Sequence, residues 1–295
     1  MDPELYQTWS NYETNWEDRS NCCCNVAYFP DGDFTIVQHF IKNITKPILV
    51  TLVSILTFIN LAYDIYFSTK SLKQLIILEI VSLIIYLCFF FSYWILIVRG
   101  PGYIPYNWSV RKLKSYPWRL MMNSIAIYSQ QEHFARMSDR PYRASFSVTA
   151  RRFVLRADHI CLWTNSWVGL NNQRYFILLT FWVVIYGLCW FLLRWNWYFV
   201  IFRPFKFHQV FALVIAPFFL YMMGFALHHF RHAFINAIHN KTIIEKHNKR
   251  NTDDFNRGCL NNFEEICGSK YLMFLWPIPC VCLQPKGDGL YQQTI

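Results

Sequence analysis

Charge is scarce in this chain: Asp, Glu, Lys and Arg together make up 16% of its 295 residues, against about 25% in an ordinary soluble domain. With 54% of residues hydrophobic, there is too little charge to clothe a water-facing surface, which points to lipid as part of the solvent. A cleavable leader is not expected either. Met1 to Asp33 is polar and acidic, with no basic segment feeding an apolar run, so the first membrane helix is expected to act as the insertion signal. The ten cysteines are too scattered to read as a disulfide framework. A net charge of +10 would suit nucleic acid, but the positions of the basic residues exclude that partner and assign them to the membrane surface.

What is present is a set of long apolar runs. A helix needs about 20 mostly apolar residues to cross a bilayer, and segments 48–67, 75–98, 174–194 and 209–229 qualify. The chain is therefore expected to be an all-α integral membrane protein with four transmembrane helices. Asp64 and Glu79 are isolated polar interruptions in the first two. Residues 99–172 hold eleven basic and three acidic side chains, and residues 231–295 hold eight basic ones. The short connections at 68–74 and 194–209 hold two and three. By the excess of Lys and Arg, the segments 1–47, 99–172 and 230–295 are expected in the cytosol. Trp195, Trp197 and Tyr198 would then anchor the opposite interface, and the sequons at Asn43, Asn107 and Asn240 would stay unglycosylated.

Reactive side chains gather in the 99–172 connection. Its one cysteine, Cys161, lies in Arg156-Ala-Asp-His-Ile-Cys-Leu-Trp163. A thiol is a nucleophile only as thiolate, with a free pKa of about 8.5. His159 is placed to take its proton, and Asp158 to orient the imidazole and stabilise its charged form.

The surroundings of these residues resemble the DHHC palmitoyltransferase family. Arg140-Pro-x-Arg143, Val154, Asp158-His-Ile-Cys-Leu-Trp163, Asn165 and Val168-Gly169 look like its cysteine-rich domain, and the register continues through Asn172-Gln-Arg-Tyr-Phe176. Arg99-Gly-Pro-Gly102 resembles the family's Asp-Pro-Gly motif, and Thr242-Ile-Ile-Glu245 its Thr-Thr-x-Glu motif. Phe255-Asn-Arg-Gly258, with Asn262 and Gly268, resembles its C-terminal motif. The resemblance implies a cytosolic DHHC-like domain between helices 2 and 3, acting as a protein S-acyltransferase on fatty acyl-CoA. Cys161 would be the acylated nucleophile, His159 the base and Asp158 its orienting partner. Tyr186 and Trp163 would line the acyl cavity, with large Tyr186 favouring C16 or shorter chains over C18. Arg140 and Arg143 would meet the CoA phosphates. Substrate proteins with membrane-proximal cysteines are the implied partners, and Golgi or endoplasmic reticulum the implied membrane. A catalytically inactive relative serving as a scaffold is the alternative.

The chain departs from the family at its zinc positions. The resemblance implies two closed zinc sites, yet the first would fall on His133, Arg136, Phe146 and Phe153, and the second on Ser147, Ala150, Ile160 and Trp167. One lone histidine among eight positions makes no site, so zinc is expected to be absent. Phe146, Phe153, Ile160 and Trp167 are expected to form an apolar cluster in its place. Three lesser departures are Gly100 for aspartate, Ile243 for the second threonine and Leu162 for proline, and Ile243 is expected to leave Asp158 less well held. Survival of Asp158, His159 and Cys161 amid the lost ligands argues for retained activity. Two further features stand apart. Cys22, Cys23, Cys24, Cys280 and Cys282 lie beside the membrane as candidate S-acylation sites. His228, His229 and His232 spell a His-His-x-x-His box, but a membrane di-iron oxidase needs several such clusters and the other histidines are scattered.

Overall fold

The computed structural model describes residues 36–102, 143–147, 152–194, 207–248 and 255–286. Four long helices dominate it: α1 (Ile36–Ser68), α2 (Leu72–Arg99), α3 (Gln173–Leu192) and α4 (Phe207–Ile238). Each is long and apolar enough to cross a membrane. Apolar side chains point outward as well as inward: Leu52, Leu56, Ile59, Ile77, Ile84 and Leu220 are all exposed. A helix that is hydrophobic on every side belongs in lipid, where its own backbone bonds satisfy every internal N–H and C=O. The chain is thus a multi-pass membrane protein. Trp195, Trp197, Tyr198, Asn107 and Cys22 to Cys24 lie outside the described residues, and at Asn43 the backbone alone is described.

α3 is the central helix, packed against α2 on one side and α4 on the other. Its first two turns are buried from Gln173 to Thr180. α4 runs on to Ile238 instead of ending near 229, because hydropathy marks where a helix leaves the membrane and not where its hydrogen bonding stops. Asp64 in α1 is not an isolated charge. Arg194, just past α3, donates from Nε to Asp64 Oδ2 at 2.6 Å and from Nη2 to Asn60 Oδ1 at 2.6 Å, and its guanidinium lies 4.0 Å from the Trp190 ring centre. Pairing of this kind is how a charge is tolerated at membrane depth.

Between α2 and α3 lie two antiparallel hairpins. β1 (Ser145–Ser147) pairs with β2 (Arg152–Val154), and β3 (His159–Cys161) with β4 (Ser166–Val168). The second hairpin is fastened to the end of α2: Asn171 N–H donates to Pro101 O and Leu155 N–H to Gly102 O. Gly169 makes this approach possible. A Cβ there would stand 2.7 Å from Pro101 O and 2.8 Å from Leu155 O. After α4 come the short helix α5 (Ile243–His247), helix α6 (Cys259–Cys267) and a 3-10 segment, Lys270–Leu275.

Candidate active site

Asp158, His159 and Cys161 lie at the start of the second hairpin. Its register fixes their directions: His159 faces Val168 and Cys161 faces Ser166, while Asp158 N–H donates to Val168 O at 2.9 Å. Side chains alternate along a strand, so His159 and Cys161 share one face. Asn165, with φ of +51°, turns the chain back toward β4 in the left-handed region that Asn tolerates better than most residues. His159 Nδ1 donates to Asp158 Oδ2 at 2.8 Å. The Thr164 hydroxyl donates to the Cys161 carbonyl at 3.5 Å, and both Cys161 and His159 border the same cavity.

Asp158 is buried, and its other oxygen accepts the backbone N–H of Ile243 at 2.8 Å. This corrects the expectation that Ile243 loosens it: the donor is main chain, which any residue but proline supplies. Ile243 is the first residue of α5, where the N–H has no partner within the helix. The turn is itself set by a capping box, with Glu245 N–H donating to Thr242 Oγ1 at 3.2 Å and Thr242 N–H to Glu245 Oε2 at 2.9 Å.

Behind α5 lies an arginine network. Arg143 donates to both oxygens of Glu245, at 2.7 and 3.0 Å, to Asn240 O and Oδ1, at 2.8 and 2.9 Å, and to Glu265 Oε1, at 3.2 Å. All three guanidinium nitrogens are committed to protein, so the CoA-phosphate role expected of Arg143 gives way to a structural one. Arg140 lies outside the described residues. Arg156, fully buried, donates to Asn240 Oδ1 at 2.7 Å and to Gln173. Asn240 is the hub, held at φ of +52° with no exposed surface. It is closed to a glycan on either side of a membrane. The sequence marked Asn240 only as a sequon; its place just before the Thr-x-x-Glu cap was the signal for the hub.

The electrostatics favour a charged pair. Burial depresses the His159 pKa, but its bonds to Asp158 and Cys161 and their charges outweigh this and raise it to about 9. Burial pushes the Cys161 thiol up, yet the His159 and Thr164 hydrogen bonds and the His159 charge bring it below the ordinary thiol value. Imidazolium and thiolate are therefore mutually stabilised.

The pair opens onto an apolar cavity of about 390 Å³ between the four long helices, lined by Thr57, Phe89, Trp163, Tyr186, Phe219 and Met223 among others. Trp163 and Tyr186 both line this cavity. Tyr186 is buried, within 3.3 Å of the Thr57 hydroxyl, with its ring stacked on Phe89 at 5.9 Å. Phe176 to Tyr186 is ten helical steps, about 15 Å along the axis. The Ser54, Thr57 and Thr180 hydroxyls each donate to a carbonyl of the preceding turn, so the wall asks for no polar ligand. His229 was missed as a lining residue. It joins the wall beside Phe225, one turn earlier on α4, at 4.2 Å between rings.

The zinc positions carry side chains that do not fit the metal. Phe146 stands opposite Phe153 in the first hairpin, and Ile160 opposite Trp167 in the second. Hydrocarbon and indole side chains supply neither thiolate nor imidazole to zinc. His133, Arg136 and Ala150 lie outside the described residues. For Phe146 and Phe153 the backbone alone is described, while Ile160 is 47% exposed. A cross-strand pair such as Ile160–Trp167 is worth roughly 0.2–1 kcal/mol.

Comparison with known proteins places this arrangement. Residues 128–250 match the sequence model of the DHHC palmitoyltransferase family. Palmitoyltransferase ZDHHC3 of Homo sapiens is 39% identical over 51 residues, 17% of each chain. Palmitoyltransferase ZDHHC15 of Xenopus laevis is 26% identical over 163 residues, 51% of this chain and 46% of that protein. Probable protein S-acyltransferase 13 of Arabidopsis thaliana is 23% identical over 206 residues, 63% of this chain and 67% of that protein. The chain thus spans a sixth to a half of the length of the vertebrate relatives it matches. With its hairpin-borne Asp-His-x-Cys, the region 128–250 is a divergent DHHC palmitoyltransferase-like domain, set among four apolar helices.

Proposed function

We propose that the chain is an active protein S-acyltransferase that moves a fatty acyl group from acyl-CoA, through a Cys161 thioester, to a protein cysteine at the membrane. The observation that carries this reading is Cys161 beside the Asp158-bonded His159 at the mouth of an apolar cavity. In the first step the Cys161 sulfur attacks the acyl carbonyl, and the CoA thiolate leaves with the proton that His159 holds. In the second, His159 takes the proton of the incoming cysteine thiol, whose sulfur attacks the thioester and displaces Cys161. Asp158 keeps Nδ1 protonated, so the other ring nitrogen does the exchanging in both steps. The tail is held by burial, worth about 0.8 kcal/mol per CH₂.

Two finer elements belong to the proposal. Tyr186 closes the far end of the cavity and sets a preference for C16 or shorter chains. The hairpins do their work without zinc, and Arg140 remains the candidate contact for the CoA phosphates. The α2–α3 connection and the tail face the cytosol, where acyl-CoA and substrate proteins meet them, in a Golgi or endoplasmic reticulum membrane.

The test is turnover: detergent-purified protein, palmitoyl-CoA and a lipid-anchored cysteine peptide, with CoA release and peptide acylation followed together. The account expects both in the wild type and neither in Cys161→Ala. A well-folded wild type that releases no CoA would favour the scaffold alternative instead.

A further inference from the structure

Beyond α6 the chain turns at Gly268, where a Cβ would stand 2.6 Å from Gln284 O, and runs back along the start of α3. The segment is firmly held there. Arg174 donates to Cys280 O at 3.2 Å, Leu275 O at 3.0 Å and Ile278 O at 2.5 Å. Tyr175 O–H donates to Cys280 O at 2.8 Å, Trp182 Nε1–H to Pro277 O at 3.0 Å, and Arg99 to Leu283 O at 3.3 Å. Within this clamp Cys280 and Cys282 flank Val281 and turn to the same side, with their sulfurs 2.6 Å apart.

The two thiols differ in surroundings. Burial pushes the Cys280 thiol up, but its hydrogen bond with Cys282 and the Arg174 guanidinium outweigh this and hold it below the usual thiol range. Cys282 is exposed, and its bond to Cys280 raises its own pKa. A thiolate-prone sulfur beside a solvent-reached thiol is the arrangement of an attacking and a resolving cysteine.

We propose that Cys280 and Cys282 are a reversible redox pair, closing to a disulfide across a single residue when a hydroperoxide is present. The Cys280 thiolate attacks a peroxide oxygen; the O–O bond breaks, hydroxide leaves and Cys280 becomes a sulfenic acid. Cys282 sulfur then attacks the Cys280 sulfur, and the sulfenic oxygen departs as water with the Cys282 proton. Two electrons pass from the sulfurs to the peroxide, and an added dithiol returns them. This pair is independent of the acyl-transfer reading, because neither cysteine lines the cavity. It is nonetheless tied to the site's scaffold: the Cys280 carbonyl holds Arg174 and Tyr175, next in sequence to Phe176, whose ring meets His159 at 4.6 Å.

The experiment uses the reduced, full-length protein in detergent, treated with hydrogen peroxide, quenched with N-ethylmaleimide and read by mass spectrometry of the 270–286 region. The expected result is a peptide two hydrogens lighter that carries no maleimide, restored to two alkylated thiols by dithiothreitol. Cys282→Ser should leave Cys280 as a sulfenic acid trapped by dimedone, oxidised at least tenfold faster than exposed Cys259. Cys280→Ser should leave Cys282 alkylatable at the same peroxide dose. The proposal is overturned if both thiols alkylate fully after peroxide, or if either pairs with a different cysteine. It is equally overturned if the purified protein carries a hydroxylamine-sensitive acyl group on this peptide, which would make the pair acyl acceptors.

Discussion

At position 243 the chain keeps a bond while losing a side chain. Where the resembled motif has a second threonine, the isoleucine backbone N–H bonds Asp158 Oδ1 at 2.8 Å, while His159 holds the other oxygen. Ile243→Pro separates the two contributions. Proline is favoured at the first position of a helix, and Thr242 already has the extended backbone a following proline wants (φ −112°, ψ 162°), so α5 should survive while the donor disappears. A hydrogen bond to a charged group contributes about 1.5–3 kcal/mol, so Ile243→Pro should slow acyl loading by roughly 10- to 150-fold. Ile243→Ala, which keeps the N–H, should load near the wild-type rate. Charge state gives a second residue-scale prediction. His159 has its pKa raised to about 9, so its share of stability is complete below about 6.5, the unfolded value, and is lost as pH rises through about 9. Cys161 is shifted the other way, so its share is lost as pH falls through its lowered folded value. Alkylation of Cys161 by iodoacetamide should therefore persist at pH values where an ordinary thiol of pKa about 8.5 has become slow. In His159→Ala that advantage should vanish; an unchanged profile would show that the pair is not charged.

Among the elements, the two hairpins and α5 depend on contacts across long stretches of chain. A Cβ at Gly169 would press on two backbone carbonyls, neither able to move without shifting α2 or the second hairpin. Gly169→Ala should cost about 1–3 kcal/mol, seen as a lower Tm in detergent. Arg143 is a stronger test. Removing it leaves buried Glu245 without its bidentate partner, and breaking such a pair costs about 3–5 kcal/mol. Arg143→Gln should unfold the region even where the Asp158 and Cys161 sequence is intact, whereas Tm within error of wild type would argue that Arg143 is free to serve CoA. The sequence made the local parts of this scale legible: the Asp-His-x-Cys tetrad, the Thr-x-x-Glu cap and the glycine after Val168 are read within a few residues. It did not make the network legible. Arg143 reaches Asn240 and Glu245 across 97 and 102 residues, and nothing in its neighbourhood tells a phosphate-binding arginine from a buried one.

For the whole molecule, the four helices were legible from their apolar runs, but the cavity they enclose was not. Tyr186 was singled out by resemblance; its proximity to Thr57, 129 residues away, and its stack on Phe89 are visible only in the packed bundle. The Asp64–Arg194 pair was hidden likewise, since two charges far apart in sequence read as two interruptions. Opening the floor makes a prediction at this scale. In competition among C14, C16 and C18 acyl-CoA, the wild type should load C16 or shorter, and Tyr186→Ala should shift the balance toward C18 by several-fold. C18 preferred by the wild type would remove Tyr186 as the limit. The central claim is that Cys161 itself becomes acylated, and its most direct test is mass spectrometry of the Cys161 peptide after one brief exposure to palmitoyl-CoA. The account predicts a palmitoyl group on Cys161 that hydroxylamine releases, and that falls by about 10²- to 10⁴-fold in rate in His159→Ala. An unmodified Cys161 in folded protein, or a label that persists in Cys161→Ala, would contradict it.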